Sequence, residues 1–254
     1  MRIFKYYLLA LFFATSIYTS AQDDKKIKWV DSLFSKLKTE EKIGQLFIVP
    51  LDASISKEES QLLFNQSKAG KVGGLIIQQS GPVGYAKFIN RLQSDSKIPL
   101  LVSATINPDL TRSFDSTMTF FKANVLNAIA NDSLLFSLSQ ELSRQKDILH
   151  IHFPFHPNRD SIGSLKTTDV RQISTNAKSK KGTEEKQAFL LGGDLLISPK
   201  NIDAAIKTIS KAIKKDQLLA ARLDKSVKKI LSAKNDVKHW QNKFINTDNL
   251  ISRL

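Results

Sequence analysis

The sequence predicts an α/β protein built on a parallel sheet. Two observations carry this: short, mostly apolar runs of strand length recur at 45–51, 75–78, 99–105, 150–155 and 195–198, and stretches with helical spacing separate them. A strand buried on both faces is apolar throughout rather than alternating. That is the condition inside a parallel sheet covered by crossover helices.

The first 21 residues are set aside before the fold is read. A basic start (Arg2, Lys5), an apolar run over 6–13 and a small-residue end at Thr19, Ser20 and Ala21 have the layout of a cleavable secretory signal. The run falls short of the roughly 20 apolar residues that span a bilayer, and nothing downstream comes close. A soluble periplasmic or secreted protein is expected, with an uncleaved signal anchor as the alternative.

Residues 22–254 are expected to form one domain. Ile27, Val30, Leu33, Phe34 and Leu37 recur at helical spacing, and Thr39 followed by Glu40 and Glu41 suggests an N-cap opening a short second helix. After the 45–51 strand comes a helix over 58–67. Gly70, Gly73 and Gly74 then read as turn residues before the second strand, since the Lys-Ser/Thr ending of a phosphate loop is missing. Pro82 opens a helix carrying Val83, Ala86, Ile89 and Leu92. The 99–105 strand follows, and a helix from Asp132 with Leu134, Leu135, Leu138 and Leu142 leads to the fourth strand. Residues 159–187 are rich in Ser, Thr, Lys and Asn, which predicts a polar loop or linker. The last strand and two basic helices, over 202–214 and 218–234, close the core. Trp240, Phe244 and Leu250 are expected to anchor the tail.

Composition removes several classes of function. The chain has no cysteine, which excludes disulfides, thiolate metal sites, cysteine nucleophiles and a lipidated cysteine. A net charge of +14 would draw the protein toward anionic envelope polymers or lipids, although a solvated lysine-rich surface is the simpler expectation. The basic helices lack interleaved aromatics for stacking bases, so no nucleic-acid partner is expected.

Taken in order, these segments resemble the catalytic barrel of family 3 glycoside hydrolases, particularly the β-N-acetylglucosaminidase-like branch. The resemblance is carried by Trp29 to Leu46 with its Thr39-Glu40-Glu41-Lys42-Ile43-Gly44-Gln45-Leu46 run, by Lys71-Val72-Gly73-Gly74-Leu75-Ile76 with Gly81-Pro82, and by Ile98-Pro99-Leu100-Leu101-Val102. It continues through Asp132-Ser133-Leu134, Glu141-Leu142-Ser143-Arg144-Gln145, Leu190 to Ala205 and Val227 to Ala233. It implies a TIM-barrel-like (β/α) domain.

Departures from the family are concentrated where its substrate sits. Thr105 stands where the resemblance implies a sugar-binding Asp, followed by Asn107 and Pro108. Ser113 stands at the substrate-contacting Arg, with Arg112 beside it. His152 and Asn158 replace an Asn and an Asp of the fourth unit. The stretch from Asp160 to Leu195 has room for little more than one crossover of about 30 residues. The family's Lys-His motif, acid/base loop and Asp nucleophile are therefore absent. An incomplete or rearranged barrel with about five parallel strands is expected, with no catalytic residue assigned.

A polar set at the carboxyl ends of the strands, Asn107, Asp109, Arg112, His156 and Asn158, is the candidate for holding a saccharide without cleaving it. His150 and His152 share one side of a strand by alternation, and Asp109 or Asp160 would offer a zinc site a third ligand. The family also commonly has His at 150, so core or rim histidines are the expectation, with no metal and no cofactor. The leading function is an exported, non-catalytic relative that binds peptidoglycan, another envelope glycan or a protein partner. A working β-N-acetylglucosaminidase using Asp109, Asp115 or Asp160 is the second reading. A decayed remnant, with a homo-oligomer or partner covering an open sheet edge, is the third.

Overall fold

The structure is a computed structural model and describes residues 24–52, 54–105, 110–111, 113–117, 128–129, 131–155, 170–175, 181–237 and 243–254. The expected apolar runs form strands β1 (Phe47–Asp52), β2 (Gly74–Gln79), β3 (Leu101–Thr105) and β4 (Phe153–Phe155). Two more follow, β5 (Gln172–Ser174) and β6 (Leu195–Ile197). All pair in parallel, in the order β4-β3-β2-β1-β6-β5. The last unit therefore returns beside the first, as in a (β/α) barrel, and β4 and β5 are the terminal strands of a partial barrel wall.

Continuous apolar sequence becomes burial on both sheet faces. Leu75, Ile76 and Ile77 of β2 and Leu101, Val102 and Ala104 of β3 are all buried. The covering helices are α1 (24–35), α2 (Thr39–Gly44), α3 (Lys57–Lys68), α4 (Pro82–Asp95), α5 (Asp132–Ile148), α6 (Thr183–Leu190), α7 (Ile202–Ile213) and α8 (Gln217–Asp236). The cap of α2 lies one residue earlier than the sequence suggests: Lys38 holds the N-cap position, and its N–H donates to the Glu41 carboxylate at 2.7 Å.

The glycines before β2 divide into two roles. Gly70, with φ of 69°, makes the turn. Gly73 and Gly74 are instead required by close approach. A Cβ on Gly73 would lie 2.0 Å from the Gln45 carbonyl oxygen, and one on Gly74 would lie 2.4 Å from that of Leu101.

The polar stretch 159–187 is not uniformly a loop. It contains β5, which adds a sixth strand to the expected five, and α6 begins within it at Thr183. A three-residue strand with one apolar residue, Ile173, has no periodicity to detect. Tertiary bonds hold it: the Arg171 carbonyl accepts the N–H groups of Asp194 and Leu195 at 2.8 and 3.0 Å, and buried Val170 packs beneath.

In the tail, Leu250 and Ile245 are buried, whereas Phe244 remains exposed and Trp240 lies outside the described residues. The end of the chain docks on α5, where Gln145 Nε2 donates to the Leu254 main-chain oxygen at 2.9 Å. Among the described residues, no helix is long and apolar enough to cross a membrane.

Candidate functional site

The carboxyl ends of β1, β2 and β6, where ligands bind in parallel α/β folds, open into a cleft of about 910 Å³. Its floor includes Val49, Pro50, Asp52, Gln78 and Ser198. Leu62, Leu63 and Gln66 of α3 form one wall, and Asn201, Ile202 and Asp203 at the start of α7 form the other. Local bonds set this rim. Asn201 caps α7 by accepting the Ala204 N–H at 3.0 Å, and the fully buried Glu185 accepts the Lys200 N–H at 2.9 Å, fixing the turn between β6 and α7.

Each carboxyl group in the cleft is already engaged. Asp52 accepts the N–H and the hydroxyl of Ser54 at 2.8 and 2.7 Å. These two bonds hold its carboxyl below the usual carboxylate range. Glu59 accepts the Ser56 N–H at 3.1 Å in a capping box, and Asp203 pairs with Lys71 at 2.7 Å. The remaining polar surface comes from the hydroxyls and amides of Ser54, Gln66, Gln78 and Ser198 and from Lys200, beside apolar Val49, Ile55 and Leu62. Such a lining both donates and accepts hydrogen bonds and offers apolar area to a hydroxyl-rich ligand.

The saccharide-binding candidates Asn107, Asp109, Arg112, His156 and Asn158 lie outside the described residues, as does Asp160. Their neighbours are described. Ser113 is fully buried; its hydroxyl accepts the Thr105 N–H and donates to the Ile77 carbonyl, both at 2.9 Å. The position where the resemblance implies a substrate-contacting Arg thus clips the loop after β3 onto β2. Phe114 continues the clip by packing edge-on against Tyr85, with ring centroids 4.9 Å apart. Asp115 is exposed and accepts the Ser116 hydroxyl at 2.9 Å.

The alternation argument for the histidines does not hold, because β4 starts only at Phe153. His150 sits in a turn with φ of 51°, and burial lowers its pKa despite the opposing effect of Asp147. His152 Nδ1 accepts the Val102 N–H at 2.6 Å. Both precede β4, at its amino end. Among the described residues, no cluster of three His, Asp or Glu side chains converges as a metal site would.

A second polar group lies at the opposite end of the sheet. Lys234 of α8 is buried and donates to Gln45 Oε1 at 2.6 Å, while Gln45 Nε2 donates to the Gly70 carbonyl at 3.1 Å. Burial pushes the Lys234 ammonium down to about 7. Gln45 lies before β1 and Val49 is the first β1 residue of the cleft floor, so the pair lies roughly 13 Å from the nearest part of the cleft at the strand rise of about 3.3 Å per residue. It belongs to the amino face, where such folds keep stabilising groups.

In sequence, the chain is 24% identical over 135 residues to a β-N-acetylglucosaminidase/β-glucosidase of Cellulomonas fimi, a match covering 53% of this chain and 23% of that enzyme. In structure, it matches the β-glucoside phosphorylase BglX with a TM-score of 0.70 at 12% identity, over 91% of this chain and 64% of that one. The fold is family 3 glycoside hydrolase-like. An exo-1,3/1,4-β-glucanase from a Pseudoalteromonas species matches the family 3-like chain with a TM-score of 0.58 at 11% identity, over 82% of this chain and 54% of that one. No family model matches the sequence. The chain therefore spans less than a quarter of the curated relative and under two thirds of these structural neighbours.

The cleft residues Asp52, Ser54, Gln66, Gln78, Ser198 and Asn201 were not predicted from sequence. Gln78 and Ser198 stand at the ends of expected strands, and that position was the one signal available for them.

Proposed function

We propose that the family 3-like chain is an exported protein that binds an envelope glycan in the carboxyl-end cleft without hydrolysing it. The observation that carries this reading is the state of the cleft's acids. Glycoside hydrolysis generally uses two carboxyl groups flanking the bond, one of them an acid with a raised pKa. Asp52 is shifted the opposite way, Glu59 caps a helix, and Asp203 is in an ion pair. Ser113, used as a backbone clip, supports the same reading. Export is supported by the signal-like residues 1–21. The Cellulomonas enzyme's name suggests N-acetylglucosamine-containing saccharides, including peptidoglycan, as the first ligands to try.

The test pairs a chromogenic β-N-acetylglucosaminide assay with calorimetric titration of N-acetylglucosamine oligomers. Oligomer binding weakened by Gln66→Ala and Gln78→Ala, with no turnover, is the expected result. Turnover abolished by Asp52→Asn or Asp115→Asn would overturn it in favour of an active glycosidase, and absence of all oligomer binding would remove the glycan reading.

A further inference from the structure

The acids of α7 and α8 are engaged in a way that leaves the lysines of α7 uncompensated. Asp203 pairs with Lys71, Asp224 with Lys42 and Asp236 with Lys26, so each of these three acids takes its cation from a different part of the chain. Asp216 is occupied as the cap of α8, accepting the N–H groups of Leu218 and Leu219 at 2.9 and 3.2 Å. Lys207, Lys211, Lys214 and Lys215 are exposed, and among the described residues none has an acid within ion-pair distance. Positions 207, 211 and 214 recur at helical spacing, so they form one row roughly 10 Å long at 1.5 Å per residue. A helix carboxyl end favours cations, which accounts for the lysines at the end of α7 but not for Lys207 at its middle.

We infer that this row is a binding face for an anionic polysaccharide. Two observations select that occupant. First, the row begins on the helix whose first turn, at Asn201, Ile202 and Asp203, walls the cleft, so a strand held in the cleft meets the lysines along α7. Second, the large apolar residues of α7, Ile202, Ile206, Ile209 and Ile213, are all buried, so α7 presents no large apolar side chain beside its lysines, and Leu218 at the start of α8 is a single exposed one rather than the apolar face that a lipid interface takes. The inference rests on the proposed glycan binding and adds to it the charge class of the ligand. Attraction along such a row is long-ranged and weakens with salt, over a Debye length of about 10 Å at 0.1 M.

The experiment titrates the full chain with polygalacturonate, with neutral dextran and phosphatidylglycerol vesicles as comparison arms. In the test variant Lys207, Lys211, Lys214 and Lys215 are changed to Gln. In the control Lys25, Lys28, Lys36 and Lys68, also exposed, are changed to Gln, so the two proteins lose equal charge. The expected result is binding of polygalacturonate that falls with salt, is weakened about tenfold or more by the α7 changes, equivalent to roughly 1.4 kcal/mol, and is weakened far less by the control. On the wild-type chain, polygalacturonate is expected to protect Lys207 and Lys211 from amine acetylation read by mass spectrometry, which needs no variant to fold. Equal losses in the two variants, no polygalacturonate binding, or vesicle binding alone would each overturn the inference. If neutral oligomers still bind the cleft in those cases, the proposed function survives; if they do not, that reading fails by its own test.

Discussion

Replacing Lys234 by Met removes a charge buried between α8 and the start of β1. Holding the ammonium at a pKa of about 7 instead of 10.5 costs on the order of 4–5 kcal/mol, at about 1.4 kcal/mol per pH unit. The change also leaves Gln45 Oε1 without the Lys234 donor, a loss of about 1–3 kcal/mol. At about pH 6 the Met variant should therefore be more stable than wild type by roughly 2–3 kcal/mol, in line with the effect of replacing buried charges by packed apolar groups. The sign of the pH dependence follows from the lowered pKa. Between about 7 and 10.5 the unfolded chain keeps the proton that the folded chain has lost, so wild-type stability rises with pH across that window. Below the window both states are protonated and the penalty is complete; above it both are neutral and the penalty is gone. The advantage of Lys234→Met should shrink as pH rises above about 7, reverse near about pH 9 at about 1.4 kcal/mol per pH unit, and leave only the lost hydrogen bond above about pH 10.5. Urea unfolding of both proteins at several pH values reads this directly. A pH-independent difference, or a variant already less stable at about pH 6, would refute the reasoning.

Three further changes test the structural arguments. Ser113→Ala removes the hydroxyl that bridges Thr105 and Ile77 and should cost about 1–3 kcal/mol, seen as a lowered thermal midpoint; an unchanged midpoint would show that the loop is held by other means. Gly73→Ala places a methyl group 2.0 Å from the Gln45 carbonyl oxygen and should cost about 3 kcal/mol or more, so an alanine protein with wild-type stability would contradict the close approach of β2 to β1. Asp194→Asn weakens a buried carboxylate that accepts from Arg171 N–H at 3.0 Å, Ser226 at 2.5 Å and Lys229 at 3.2 Å. Faster amide exchange is expected at 171–175 with little change in β2 and β3, and uniform protection would show that β5 does not depend on this residue.

The central sheet was legible because its signal is local. The apolar runs of β1, β2 and β3 must be covered on both faces wherever they lie, and their lengths fit strands. β5 was not legible, since Gln172, Ile173 and Ser174 form a strand only because the main chain of β6 offers a ladder to them. The histidines misled for a related reason: alternation is valid inside a strand, and the strand starts after His152. Ser113 could be marked as a departure from the resemblance, but its role as a clip depends on carbonyl and amide groups of two other strands. In the cleft, Asp52 looks like any acid at a strand end until the bonds from Ser54 are seen to lower its pKa.

Charge divides the same way. Composition alone establishes that the chain is strongly basic and free of cysteine, and the order of apolar runs establishes a parallel α/β sheet, because both are sums or periods over neighbouring residues. Which lysines are left without acids is decided by folding: the pairs of Asp203 with Lys71, Asp224 with Lys42 and Asp236 with Lys26 join residues 132, 182 and 210 positions apart. Coulomb attraction at contact distance depends on where the chain brings charges together, and no local pattern in the sequence encodes that.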